Sequence, residues 1–170
     1  MKSKLFTSEH KFIYKEVLIG GQSKDELLIT LKSKDIGINE LGLIIFHHKD
    51  FITSATIEKL QTVEISIGDL GFLNGANTIE VYQKAVELGL KLCPAELGPH
   101  MRLQYIDLNQ QIDPPKGNWQ NIAMEKLSDE PDFPNGFYLR RREDGFWLRG
   151  YSASPEYIWS PADCFIFCLD

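Results

Sequence analysis

The hydrophobic period changes midway along the chain, and this change constrains the fold more than any other feature. Through residue 90 the clearest apolar patterns recur at helical spacing behind recognisable start signals. Beyond residue 100 they alternate in short runs between turn residues. A chain that switches from period 3.6 to period 2 has apolar stripes on its helices and apolar faces on its strands, and each buries the other.

Two helices carry their own start signals. Ser23-Lys24-Asp25-Glu26 and Asn77-Thr78-Ile79-Glu80 each set a capping side chain three positions before a glutamate, so the pair satisfies first-turn amides reciprocally. The first predicts a helix over 24–34 with Leu27, Leu28 and Leu31 inward. The second predicts a helix over 78–89 with Ile79, Tyr82, Val86 and Leu90 lining the core, Val81, Ala85 and Leu88 widening that side, and Gly89 as the stop. Asn39 opens a shorter helical stretch through Phe46, while residues 12–20 and 62–67 read as extended.

In the second half, strands are predicted over 101–108, 119–127, 137–142, 146–151 and 163–169. Arg142-Glu143-Asp144-Gly145 forms a tight hairpin, because Asp-Gly accepts positive φ. The proline-bearing stretches 114–117 and 131–136 punctuate strands rather than separate domains. Short connections favour sequential pairing. The expected architecture is therefore α+β, with a mainly antiparallel C-terminal meander sheet covered by helices and a helical N-terminal third. It is expected as a single globular domain over 1–170, with residues 1–10 flexible.

Composition narrows the function classes. A formal net charge of -6 disfavours a nucleic-acid partner, because phosphate backbones call for basic excess. No apolar run approaches the ~20 residues of a spanning helix, and the basic start lacks an apolar signal-peptide core, so a cytoplasmic protein without membrane contact is expected. Three cysteines among apolar neighbours read as free, partly buried thiols. Cys164 and Cys168 on one strand would stand roughly 13 Å apart, too far for a bridge.

Two sets of residues are candidates for function. The first follows the second capped helix, where Cys93-Pro94-Ala95-Glu96-Leu97-Gly98-Pro99-His100-Met101-Arg102 is stiffened by its prolines. Glu96 supplies a base, His100 a proton-transfer group and Arg102 an anion clamp. On a strand 101–108, Arg102 would share a face with Gln104 and meet Glu125 of the next strand across the sheet. The competing structural reading is a helix cap with a cross-strand Arg–Glu pair.

The second set is aromatic and basic. Tyr105, Trp119, Arg140, Trp147, Arg149 and Trp159, with Tyr138, Tyr151 and Tyr157 nearby, form a recognition surface in which rings supply flat contact and arginines hold an acidic group. Its structural alternative is a sheet whose rings fill one core. His47-His48 has no companion Cys or His at ligand spacing, so no metal is expected. Absent Walker, Gly-x-Gly-x-x-Gly and Gly-x-Ser-x-Gly patterns, no cofactor is expected either.

The stretch LGLKLCPAELGPHMRLQY, followed by WQNIAMEKL and GFWLRGY, resembles an uncharacterised family of small bacterial proteins that share the LCPAELGPHMRLQY-like segment. The resemblance spans about residues 64–169. It implies a bacterial cytoplasmic origin and assigns no catalytic role. The sequence reading therefore favours a noncatalytic recognition protein that binds a protein or small ligand through its sheet and loops. A hydrolase or transferase using Glu96, His100, Arg102 and Glu125 is the enzyme alternative, and a structural protein acting through an oligomer interface is the third.

Overall fold

Both capping boxes form as read. Ser23 caps helix α1 (Lys24–Ser33) and Asn77 caps helix α3 (Thr78–Glu87), each with its glutamate bonded back to the cap amide. The computed structural model describes residues 12–105 and 119–169. The predicted flexible start, the end of the strand placed at 101–108 and the turn at 114–117 lie outside the described residues. The remaining elements are β1 (Ile13–Ile19), β2 (Gly37–Ile38), α2 (Glu40–His47), β3 (Glu58–Ser66), α4 (Leu97–Gln104), β4 (Gln120–Ile122), β5 (Gly136–Arg142), β6 (Gly145–Tyr151) and β7 (Cys164–Cys168).

The sheet corrects the expected architecture. Among the described residues seven strands join one mixed, curled sheet in the order β1-β3-β7-β4-β5-β6-β2, a half-barrel with four helices rather than a mainly antiparallel C-terminal meander. The last strand is central: β7 runs antiparallel to β3 and parallel to β4. Nor is the first third simply helical, because it supplies both sheet edges, β1 and β2.

The two faces are packed separately. On one, α1, α2 and α4 bury Leu27, Leu31, Ile45, Phe46, Leu97 and Met101 against Val17, Phe137, Leu139, Leu148 and Ile166. On the other, α3 presses Val81 and Ala85 onto Val63, Ile65, Phe165 and Phe167 of β3 and β7. Strand β7 therefore feeds alternate residues to both cores, as a central strand must. The core side of α3 is the Val81–Ala85 line. Ile79 and Val86, expected to face inward, are each 60% exposed, because α3 meets the sheet along the side the sequence reading treated as secondary.

Residues 97–104 also depart from expectation, forming a helix across the expected restrained turn and the start of the strand expected over 101–108. Pro99 sits in its first turn, where a missing N–H loses no intrahelical bond, so the proline that suggested a restrained loop fits a helix start. The hairpin at 142–145 is present, with Gly145 at φ 124°. Helix α2 is fastened to β6 by its cap: Asn39 Oδ1 accepts from the Gly42 and Gly150 amides, while its Nδ2 donates to the Gly150 carbonyl. Cys93, Cys164 and Cys168 are free, and Cys168 Sγ lies 3.3 Å from Cys93 Sγ in the core. The chain spacing gave no sign of this contact. Among the described residues no helix is long and apolar enough to cross a membrane.

Candidate functional site

Alternation along β5 and β6 sorts their side chains onto opposite faces. Phe137, Leu139 and Leu148 enter the helix-covered core, while Tyr138, Arg140, Trp147, Arg149 and Tyr151 point the other way, paired across the hairpin as Tyr138 with Arg149 and Arg140 with Trp147. On that face Arg140 lies 4.6 Å over the Trp119 ring and Trp119 stacks on Tyr138 at 5.1 Å. Arg149 donates from Nε to the Tyr138 hydroxyl at 2.8 Å and lies 5.2 Å over Trp147. Trp147 packs beside Gly37, bonds Asp144 through its indole N–H and has Arg142 at 5.8 Å.

Where this ladder meets the loop before β7, a cavity of about 160 Å³ opens. It is lined by Trp119, Tyr138, Tyr151, Tyr157 and Trp159, together with Asn121, Ser152, Ala153 and Asp163. Two of the rings stand nearly perpendicular to Trp159, Tyr151 at 86° and Tyr157 at 77°. Trp159 is fixed by its indole N–H to Thr78 Oγ1 at 2.9 Å, and Asn121 by its amide to the Cys164 carbonyl. Burial pushes the Tyr82 hydroxyl up to about 12 and the adjacent Tyr151 hydroxyl well above its ordinary value, so both stay neutral at physiological pH.

Asp163 gives the cavity its charge. The residue is 4% exposed, and its Oδ2 accepts from the Ser160 amide at 2.7 Å. No described lysine, arginine or histidine forms an ion pair with it. Its field is felt nearby, since burial first, then Glu64, Asp163 and Asp69, push the Cys164 thiol up to about 12. A second cavity of about 350 Å³ adjoins, bounded by Thr78, Tyr82, Glu125, Lys126, Asp129 and Asn135 among others.

The structure divides the predicted catalytic set. Glu96 and His100 come together at one end of α4, with Nε2 of His100 3.4 Å from Oε2 of Glu96 and the residues 3% and 5% exposed. Glu96 Oε1 accepts from the Ser54 amide at 2.8 Å. The Gly20 amide donates to His100 Nε2 at 3.2 Å, so that nitrogen carries no proton and the imidazole is neutral with its hydrogen on Nδ1. Burial pulls the His100 pKa down, partly opposed by Glu96. Gly20 makes the approach possible, since at φ 83° a Cβ there would lie 2.0 Å from the Thr56 carbonyl oxygen.

Arg102 is on the helix rather than a strand and is fully buried. It donates to the Tyr105 carbonyl at 3.0 Å and lies 5.0 Å over Phe146, with burial pulling it down to about 10. Glu125 is exposed and lines the second cavity, so the expected Glu125–Arg102 cross-strand pair has no strand to form on. Of the aromatic set, Trp119 and Trp159 line the first cavity, Arg140, Arg149 and Trp147 extend from it along the sheet, and Tyr105 belongs to the opposite core, with its hydroxyl donating to the Glu16 carbonyl.

Sequence reasoning missed Asp163, Asn121 and Ser152. The Ser160-Pro161-Ala162-Asp163 spacing was a usable signal, since Asp163 closes a turn onto the Ser160 amide. No protein-family model, curated protein or solved structure matches the chain.

Proposed function

We propose that the chain is a noncatalytic recognition protein, which holds a ligand in the aromatic cavity and against the arginine-bearing strands beside it. The observation that carries this reading is a cavity with five aromatic walls and a buried carboxylate at the end of an Arg–aromatic ladder. Packed interiors hold few voids larger than a water molecule, so a space of this size beside a buried acid is one a ligand can use. At about 160 Å³ the space is smaller than the ~300–1,000 Å³ of pockets for drug-sized ligands. It therefore suits a small molecule or the head group of a larger one.

The hydrolase or transferase reading loses support because its four residues are dispersed. Glu96 and His100 lie side by side in the core, Arg102 is packed on Phe146, and Glu125 faces another cavity. A ligand-observed NMR screen of small fragments tests the recognition reading. The variant Ala153→Phe, which fills the cavity from its rim, provides the control. Fragments that bind the native protein and lose binding in the variant support the proposal. A screen without hits, or hits indifferent to the variant, would overturn it.

A further inference from the structure

We propose that the aromatic cavity takes a methylated ammonium group, the cationic head of a small molecule. This inference rests on the recognition reading above and specifies its ligand class. Asp163 is a buried carboxylate with one amide donor and no ion pair to any described residue, and a charge placed in that way is costly unless a cation joins it. The cavity that it lines is where such a cation would sit.

The walls select the kind of cation. Tyr151, Tyr157 and Trp159 meet at steep angles, so ring faces and edges enclose the space from several sides. A cation within about 6 Å of a ring face is attracted by the ring quadrupole, and aromatic enclosures are a known solution for quaternary ammonium groups. The same sheet face already accepts cations from the protein, with Arg140 on Trp119 and Arg149 on Trp147. Calcium and magnesium call for six or more oxygen ligands and zinc for a cluster of His, Cys, Asp or Glu, and the described residues of the cavity bring one such acid. A primary ammonium brings three donors that each call for an acceptor. Methylation removes those donors while keeping the charge, matching a site with several rings and one acid.

Calorimetric titration of the intact protein with choline, with its uncharged isostere 3,3-dimethylbutan-1-ol and with ethanolamine tests the proposal. Choline is expected to bind at least about tenfold more tightly than either, in line with cation–π and charge contributions of one to two kcal/mol. Asp163→Asn, which keeps an acceptor for the Ser160 amide, is expected to weaken choline about tenfold and leave the alcohol unchanged. Tyr157→Leu should also weaken choline. Equal affinity for choline and the alcohol, tighter binding of ethanolamine, no binding of choline, or an Asp163→Asn variant with native choline affinity would each overturn the proposal. The recognition reading is judged apart from this result. Cavity-directed fragments that persist when choline fails would leave that reading standing and remove only the ammonium assignment.

Discussion

Two buried carboxylates, one on each side of the sheet, each accept from one backbone amide but differ in what surrounds them. Glu96 is enclosed in the packed core, with the Ser54 amide on Oε1, while Oε2 lies 3.4 Å from the unprotonated Nε2 of His100 and has no hydrogen-bond donor. Asp163 has one amide and an aromatic cavity. The first joins α4 to the segment at Ser54, and its neighbour His100 takes the Gly20 amide, drawing together parts of the chain distant in sequence. The second ties only a local turn and leaves its charge facing open space. The contrast separates an acid that serves the fold from an acid that serves a ligand, and stability measurements can break it.

The largest effect is expected at Glu96. Glu96→Ala removes the acceptor for the Ser54 amide and empties a packed position, and should lower the unfolding free energy by ~2 kcal/mol in urea titrations. A loss below ~1 kcal/mol would show that this acid does not hold the fold.

The pH dependence follows from the same site. His100 has its pKa lowered in the folded protein, whereas the unfolded chain titrates near the ordinary value of about 6.5. Between those values the unfolded state binds more protons. Stability contributed by the neutral imidazole is thus present above pH ~6.5 and lost as the pH falls toward the folded value, with a slope of at most ~1.4 kcal/mol per pH unit. His100→Asn should flatten the stability curve between pH 7.5 and 5.5, as urea midpoints will record. An unchanged slope would contradict the neutral assignment.

At Asp163 the sign reverses. Asp163→Asn retains the turn and relieves a buried charge, so stability should rise by ~1 kcal/mol, the usual direction when a functional group is neutralised. A loss of that size would place Asp163 with Glu96 as a structural acid. The smallest effect is expected on α3, where Ile79→Lys should change stability by less than ~0.5 kcal/mol because the side chain is 60% exposed.

What the sequence disclosed follows the range of the interactions. Capping boxes at Ser23–Glu26 and Asn77–Glu80 and the Asp144-Gly145 hairpin are local, and each was legible. The position of β7 between β3 and β4, and the pairing of Gly37–Ile38 with β6, depend on contacts far apart in sequence that no short window encodes. Helix α4 was misread because Met101-Arg102-Leu103-Gln104-Tyr105 alternates like a strand, and packing of Leu97 and Met101 into the core overrode that pattern. The face of α3 was ambiguous, since apolar residues cover much of its circumference and only the sheet chooses among them. At the site, Trp119 and Trp159 were visible as flat side chains near turns. Asp163 was not: the Ser160–Asp163 spacing marks a turn, but burial of the acid leaves no mark in composition or period.

The central claim is that the aromatic cavity around Asp163 is a ligand site for a cation, and the three tryptophans of the chain report on it directly. Trp119 and Trp159 line the cavity, while the Trp147 indole bonds Asp144 at the hairpin. In a choline titration followed by the indole N–H resonances, the Trp119 and Trp159 signals should move along one common binding curve while Trp147 stays fixed. Three motionless signals, or movement of Trp147 alone, would contradict the account.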